Sequence, residues 1–205
     1  MNDVPAIVRA LADSAGDSLA VAMVAYPDYS LADHLVLGDA EAAITGNEWD
    51  VVVLQQGPSS LEENREMMRT VVKVYEPLIR DAGARPALYS VWPQANRMGD
   101  FGRAIDSYAL AAADVNGILF PVAEAWLETW RIDPGISLYA ADGLHASAAG
   151  SYLAALVIYG KLAARSPVGL PGTIRLGSGT TLSIAESIVP TLQLAAQRAN
   201  EKYPQ

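Results

Sequence analysis

The residues best suited to chemistry stand together at Asp142-Gly143-Leu144-His145, ahead of Ala146-Ser147-Ala148-Ala149-Gly150-Ser151-Tyr152-Leu153-Ala154-Ala155. His145 is one of only two histidines in 205 residues, and a carboxylate precedes it by three. An Asp at that spacing can accept the imidazole Nδ1–H, fix the tautomer and leave Nε2 free to take a proton from a nucleophile. The same spacing also suits Asp142 as a helix-start cap beside a surface histidine. A metal site is not expected, because two ligands are too few and the other histidine, His34, is remote in sequence.

Other side chains fall where chemistry is done. Gln55 and Gln56 follow the apolar run Val51–Leu54. A side-chain amide there can donate to a developing oxyanion, or simply bond loop backbone at a polar strand end. Trp92-Pro93 follows a second apolar run and either walls a pocket or caps the core. Ser59 and Ser60 come after Gly57-Pro58, and Ser60 fits a capping box with Glu63, so neither is nominated as a nucleophile. His34 reads as a surface residue on a capped helix.

The elements that must position these residues alternate. Val4 to Ser14 has helical apolar spacing, with Asp3 to cap it and Gly16 to end it. Leu19 to Ala25 is continuously apolar, as a strand buried on both faces would be. Ser30-Leu31-Ala32-Asp33 opens a short helix, and Val51–Leu54 is the clearest strand. A helix from Ser60 to about Ala82 follows, then a strand over Pro86–Val91 and a helix over Asp100–Val115. Ile118–Phe120 is a short strand, Val122–Trp130 a helix, and Ala148–Ala164 another. Residues 166–181 read as a loop and Ser183–Lys202 as a closing helix. Strands of β-branched residues alternating with helices argue an α/β fold, a flavodoxin-like parallel sheet with helices on both faces. Ligands of such sheets bind beyond the carboxyl ends of the strands, where Gln55-Gln56, Trp92 and Asp142–His145 all fall in sequence. No repeat or linker divides the chain, so residues 1–205 are read as one domain.

Composition sets the limits. The net charge of -9 leaves no basic footprint for nucleic acid or anionic membrane. There is no cysteine, which removes disulfides, thiolate metal sites and a Cys nucleophile. No Gly-rich phosphate loop follows a strand, which argues against a nucleotide binder. No cofactor is implied. No run is long and apolar enough to span a bilayer, and no signal-like segment opens the chain, so it is expected to be soluble and untargeted as written, with export open if a segment lies upstream.

Together these stretches resemble the SGNH (GDSL-type) hydrolases, a family of flavodoxin-like esterases and related acyl hydrolases. Asn2-Asp3-Val4-Pro5 is similar to the segment after the family's nucleophile block, and Ser30-Leu31-Ala32-Asp33-His34 to its second block. Trp49-Asp50-Val51-Val52-Val53-Leu54-Gln55-Gln56 resembles the third block, and Asp142–His145 running into Gly150–Ala155 the fifth. The resemblance covers residues 2 to about 160, and the third and fifth blocks are its specific parts. It implies that His145 is the general base and Asp142 its partner. It implies Gln55 as oxyanion donor with Gln56 as the fallback, and Trp92 and Tyr29 beside a small-molecule, carbohydrate or lipid ester. The implied reaction is serine attack on an ester carbonyl through an acyl-enzyme.

Two departures matter. The second-block glycine of the family has no counterpart at Pro27-Asp28-Tyr29. The first block, a strand ending in Gly-Asp-Ser or Gly-Asn-Ser, is not found before Asn2. The expectation is therefore a fold whose first, central strand and serine lie upstream of Met1, with these 205 residues weak or inactive alone. The alternative is a non-catalytic binding domain that retains the pocket. A sheet lacking its middle strand can also recruit a partner's edge, so the oligomeric state is left open.

Overall fold

The computed structural model describes residues 3–204. Asn2, the first residue of the Asn2–Pro5 match, lies outside them. In chain order the elements are α1 (Val4–Ser14), α2 (Leu31–Leu37), α3 (Asp39–Thr45), β1 (Val51–Leu54), α4 (Glu62–Asp81), β2 (Arg85–Tyr89), a 3₁₀ turn (Ala95–Asp100) and α5 (Phe101–Asp114). They continue with β3 (Ile118–Phe120), α6 (Val122–Ile132), α7 (Ala148–Leu162), β4 (Thr173–Arg175), β5 (Thr181–Ser183) and α8 (Val189–Lys202). The chain forms two compact units, one made of the segment up to Met23 with Gln94–Asn96 and Pro121–Pro204, the other of Val24–Pro93 with Arg97–Phe120.

The second unit holds the parallel sheet, in the order β1-β2-β3. Val51 pairs with Arg85 and Leu54 with Leu88, while Ala87 pairs with Ile118 and Tyr89 with Phe120. Parallel strands need helical crossovers, and α4 and α5 supply them and pack against the sheet. The core joins Leu54 and Leu88 to Met68, Val72, Tyr75 and Ile79 of α4 and to Tyr108 and Ala111 of α5. Every fourth or third residue of α4 thus faces inward, the spacing of an amphipathic helix. This is the expected α/β architecture, a parallel sheet flanked by helices. Among the described residues β1 has one ladder only, that with β2.

The first unit is largely helical. In α7, Tyr152 to Tyr159 are all buried, and the helix packs against α1, α6 and α8. A helix apolar all round belongs in a core. Asp3 caps α1 as expected, its Oδ1 accepting from the Ala6 N–H at 3.0 Å.

Several sequence expectations are corrected. Leu19–Ala25 forms no regular element and joins no ladder, and Val21, Met23 and Val24 are 36%, 60% and 38% exposed. An apolar run becomes a buried strand only when a neighbouring strand takes up its N–H and C=O groups, and none of the described strands does so. Ser60 does not cap α4, which starts from Leu61 without a side-chain cap; the Ser60 hydroxyl turns to Asp100 instead. The 166–181 loop contains β4, which pairs antiparallel with β5, so the closing helix begins at Val189 rather than Ser183. His34 is buried at 8% exposure, not a surface residue.

Candidate active site

The Asp142–His145 turn is built by the backbone on either side of it. Ser147 N–H donates to Leu138 O and Ala140 N–H to His145 O, each at 2.8 Å, and Tyr139 and Ala146 form an antiparallel bridge. Gly143 closes the turn at φ 66, a left-handed conformation that costs a side-chain-bearing residue, and its N–H donates to Ala140 O. The Ala95 N–H donates to Gly143 O at 2.8 Å, tying Gln94–Asn96 to the turn.

A rigid floor holds the turn. Tyr139 lies against Trp126 and Trp130, with ring centroids 4.8 and 5.9 Å away, and Trp130 Nε1–H donates to Ile136 O. On the far side Ser147 caps α7, its Oγ accepting from the Gly150 N–H at 3.1 Å and donating to Ser137 O at 3.0 Å. Gly150 is packed so closely that a Cβ would stand 2.4 Å from Leu138 O and 2.9 Å from the Trp126 ring.

In this frame His145 Nδ1 lies 2.6 Å from Asp142 Oδ2. The Asp142 Oδ1 accepts from the N–H groups of Leu144, at 2.9 Å, and His145, at 3.0 Å. These bonds, the imidazole first and then the two N–H groups, hold the Asp142 carboxyl down at about 2. An ionised carboxylate only accepts, so Nδ1 presents a proton to Asp142, and in the neutral imidazole Nε2 is the acceptor. The two side chains are about half exposed, 46% for His145 and 50% for Asp142, so Nδ1 is anchored while the ring remains reachable. Within this unit the geometry is that of an oriented general base.

The other candidates lie in the second unit. Gln56 is buried and committed, with Oε1 accepting from Leu31 N–H at 3.4 Å and Nε2 donating to Ser59 Oγ at 2.9 Å. Its backbone N–H and carbonyl both bond the Tyr108 hydroxyl. Gln55 is exposed, with Nε2 donating to Gln56 O at 2.8 Å. Both amides therefore make the structural bonds of a polar strand end. Trp92 is half-buried and Tyr29 is 44% exposed. Ser59, at φ 51, and Ser60 are buried.

Sequence reasoning missed a second imidazole–carboxylate pair, His34 with Asp39. Its signal was an Asp five residues after the histidine, across the break at Gly38 between α2 and α3. Among the described residues no group of three or more His, Asp or Glu side chains is placed to hold a metal ion.

Comparison with known proteins gives the fold its place. The chain resembles a solved structure described as "a putative SGNH hydrolase from Slackia heliotrinireducens", at 29% identity and a TM-score of 0.62, over 78% of this chain and 90% of that one. The fold is SGNH hydrolase-like. A DUF4886 family protein from Bacteroides uniformis shares it at 20% identity and a TM-score of 0.61, over 78% of this chain and 65% of that one. No family model matches the sequence, and no curated protein matches it. In an SGNH-like chain the Asp142–His145 pair falls in the stretch that resembles the fifth block. Among the described residues no helix is long and apolar enough to cross a membrane.

Proposed function

We propose that this chain is the greater part of a serine ester hydrolase of the SGNH type, with residues 1–205 acting as one domain. The observation that carries the reading is the 2.6 Å contact between His145 Nδ1 and the Asp142 carboxylate, in a turn fixed from both sides. Nε2 takes the proton of the attacking serine hydroxyl as its oxygen adds to the ester carbonyl, and Asp142 stabilises the imidazolium that forms. The imidazolium then protonates the leaving alcohol, and water repeats the sequence on the acyl-enzyme. The SGNH resemblance assigns the oxyanion to the Gln55 amide, with Gln56 as fallback, and the ester's surroundings to Trp92 and Tyr29. The Gln55 amide nitrogen carries two N–H groups, of which one is given to Gln56 O, and the second is the donor this reading offers to the oxyanion.

The attacking serine in this reading is supplied from outside the 205 residues, on the strand of the first block. A serine-directed fluorophosphonate probe and a short-chain aryl ester test it, applied to the chain as given and to a version extended at its amino end. The extended protein should label and turn over, with His145→Ala lowering kcat by roughly 10⁴ to 10⁶. The 205-residue chain should do neither. Labelling and turnover of the 205-residue chain that disappear in His145→Ala would overturn the external serine. Ester binding without turnover in both proteins would instead favour a binding domain that kept the pocket.

A further inference from the structure

A second cluster, in the second unit, includes Tyr29 of the ester's proposed surroundings. Tyr26-Pro27-Asp28-Tyr29 is a tight turn in which Tyr29 N–H donates to Tyr26 O, with Asp28 at φ 64. The turn folds the two tyrosines together, their ring centroids 5.2 Å apart and their planes tilted by 58°. Both rings also meet His34 of α2, Tyr26 stacked at 5.5 Å and Tyr29 tilted at 5.3 Å. Yet Tyr26 and Tyr29 remain 49% and 44% exposed, a costly way to leave two aromatic rings.

The polar side of the cluster is equally specific. His34 is more than nine-tenths buried, and its Nδ1 lies 3.1 and 3.3 Å from the two oxygens of Asp39. With the proton on Nδ1, Nε2 is an acceptor, and among the described residues it has no hydrogen-bond partner. Charge adds a direction. Within this unit, residues 24–64 carry eight Asp and Glu and no Lys or Arg. The cations of α4, which packs on α2 and α3, are engaged elsewhere: Arg69 and Lys73 with Asp114, Arg80 with Glu76, Arg65 with Ser107. An anion is repelled here, and a neutral ligand gains nothing from the field. An organic cation gains from the carboxylates and from the negative faces of both tyrosines.

We propose that Tyr26, Tyr29 and His34 form a binding site for an alkylammonium ion, the rings taking its alkyl face and Nε2 accepting its N–H. The site shares Tyr29 with the surroundings proposed for the ester, and its test reads cation binding alone, so failure of either reading leaves the other standing. The test titrates the 205-residue chain at pH 8 with 2-(dimethylamino)ethanol, with choline, and with 3,3-dimethylbutan-1-ol, the neutral isostere of choline, following the His34 ring signals by NMR. Binding should saturate in the millimolar range for both cations. It should be tightest for 2-(dimethylamino)ethanol, which alone of the two has an N–H, and about tenfold weaker or absent for the neutral alcohol. Tyr29→Leu should weaken choline about fivefold while Tyr29→Phe keeps its affinity, because the ring face rather than the hydroxyl attracts the cation. Equal shifts with choline and its neutral isostere in the unaltered protein would overturn the proposal, whatever the variants do. So would full choline affinity in a folded Tyr29→Leu protein.

Discussion

Gly150→Ala is the sharpest test of how the Asp142–His145 turn is held. The new Cβ would meet Leu138 O at 2.4 Å, Trp126 Cζ2 at 2.9 Å and Ala146 Cβ at 3.2 Å. The carbonyl cannot rotate aside, because Leu138 O already receives the Ser147 N–H, and Trp126 is fully buried. Relief requires the 136–147 segment to move off α7. Overpacking of this kind costs about 1–3 kcal/mol, and rigid backbone on one side places this case at the upper end. Helix propensity opposes it, since alanine in place of glycine gains at most about 1 kcal/mol. The net expectation is a loss of about 2 kcal/mol, or a fall of about 4–8 °C in melting temperature for a protein of this size. Near-UV circular dichroism follows the melt through Trp126 and Trp130, and the His145 ring signals report whether Nδ1 leaves Asp142. Gly102→Ala is the control: that glycine lies exposed in α5 with nothing within 4 Å of an added Cβ, so stability should hold or rise by up to about 1 kcal/mol. If Gly150→Ala melts as high as Gly102→Ala with His145 unmoved, the account of the turn as wedged between α6 and α7 is wrong.

Two further expectations concern charge. Glu124 is 2% exposed and accepts from Lys202 Nζ at 2.8 Å and Arg131 Nη1 at 3.0 Å, fastening α6 to α8. Glu124→Gln keeps the shape and removes the charge, and should cost about 1–3 kcal/mol, read as a lower urea midpoint with an unchanged slope; an unchanged midpoint would show the pair to be idle. The Asp142 carboxyl, held below its ordinary value of 3.8 at about 2, steadies its turn when ionised. Because the folded value is the lower one, that support is complete above about pH 4 and is lost as pH falls toward 2. Amide exchange at Leu144 and His145 should accelerate across that window, and Asp142→Asn should flatten the change.

The legible parts of the chain were those whose determinants are local. Asp3 and the Ser30–Asp33 capping box fix helix starts within one turn, and Asp142 reaches His145 three residues away. The strands β1 to β3 were readable because apolar runs between helices leave few other arrangements. What sequence hid depends on distant partners. Ser60 looks like a cap until Asp100, forty residues on, takes its hydroxyl. His34 looks exposed until Asp39, Tyr26 and Tyr29 close on it. Leu19–Ala25 has the composition of a core strand, but composition does not supply a ladder. The β4–β5 hairpin hid in a polar stretch because its turn, Leu176 to Thr180, carries the Gly and Ser expected of any loop.

The single ladder of β1 has a practical corollary. Val51-Val52-Val53-Leu54 contains no proline, no charge and no bulge, and Val53 is 42% exposed. Natural sheets blunt such margins with lysine or proline, because a bare row of amides templates growth onto other molecules. Preparations of these 205 residues should therefore carry a solubility ceiling set by β1. Val53→Lys should raise that ceiling without altering the dilute protein.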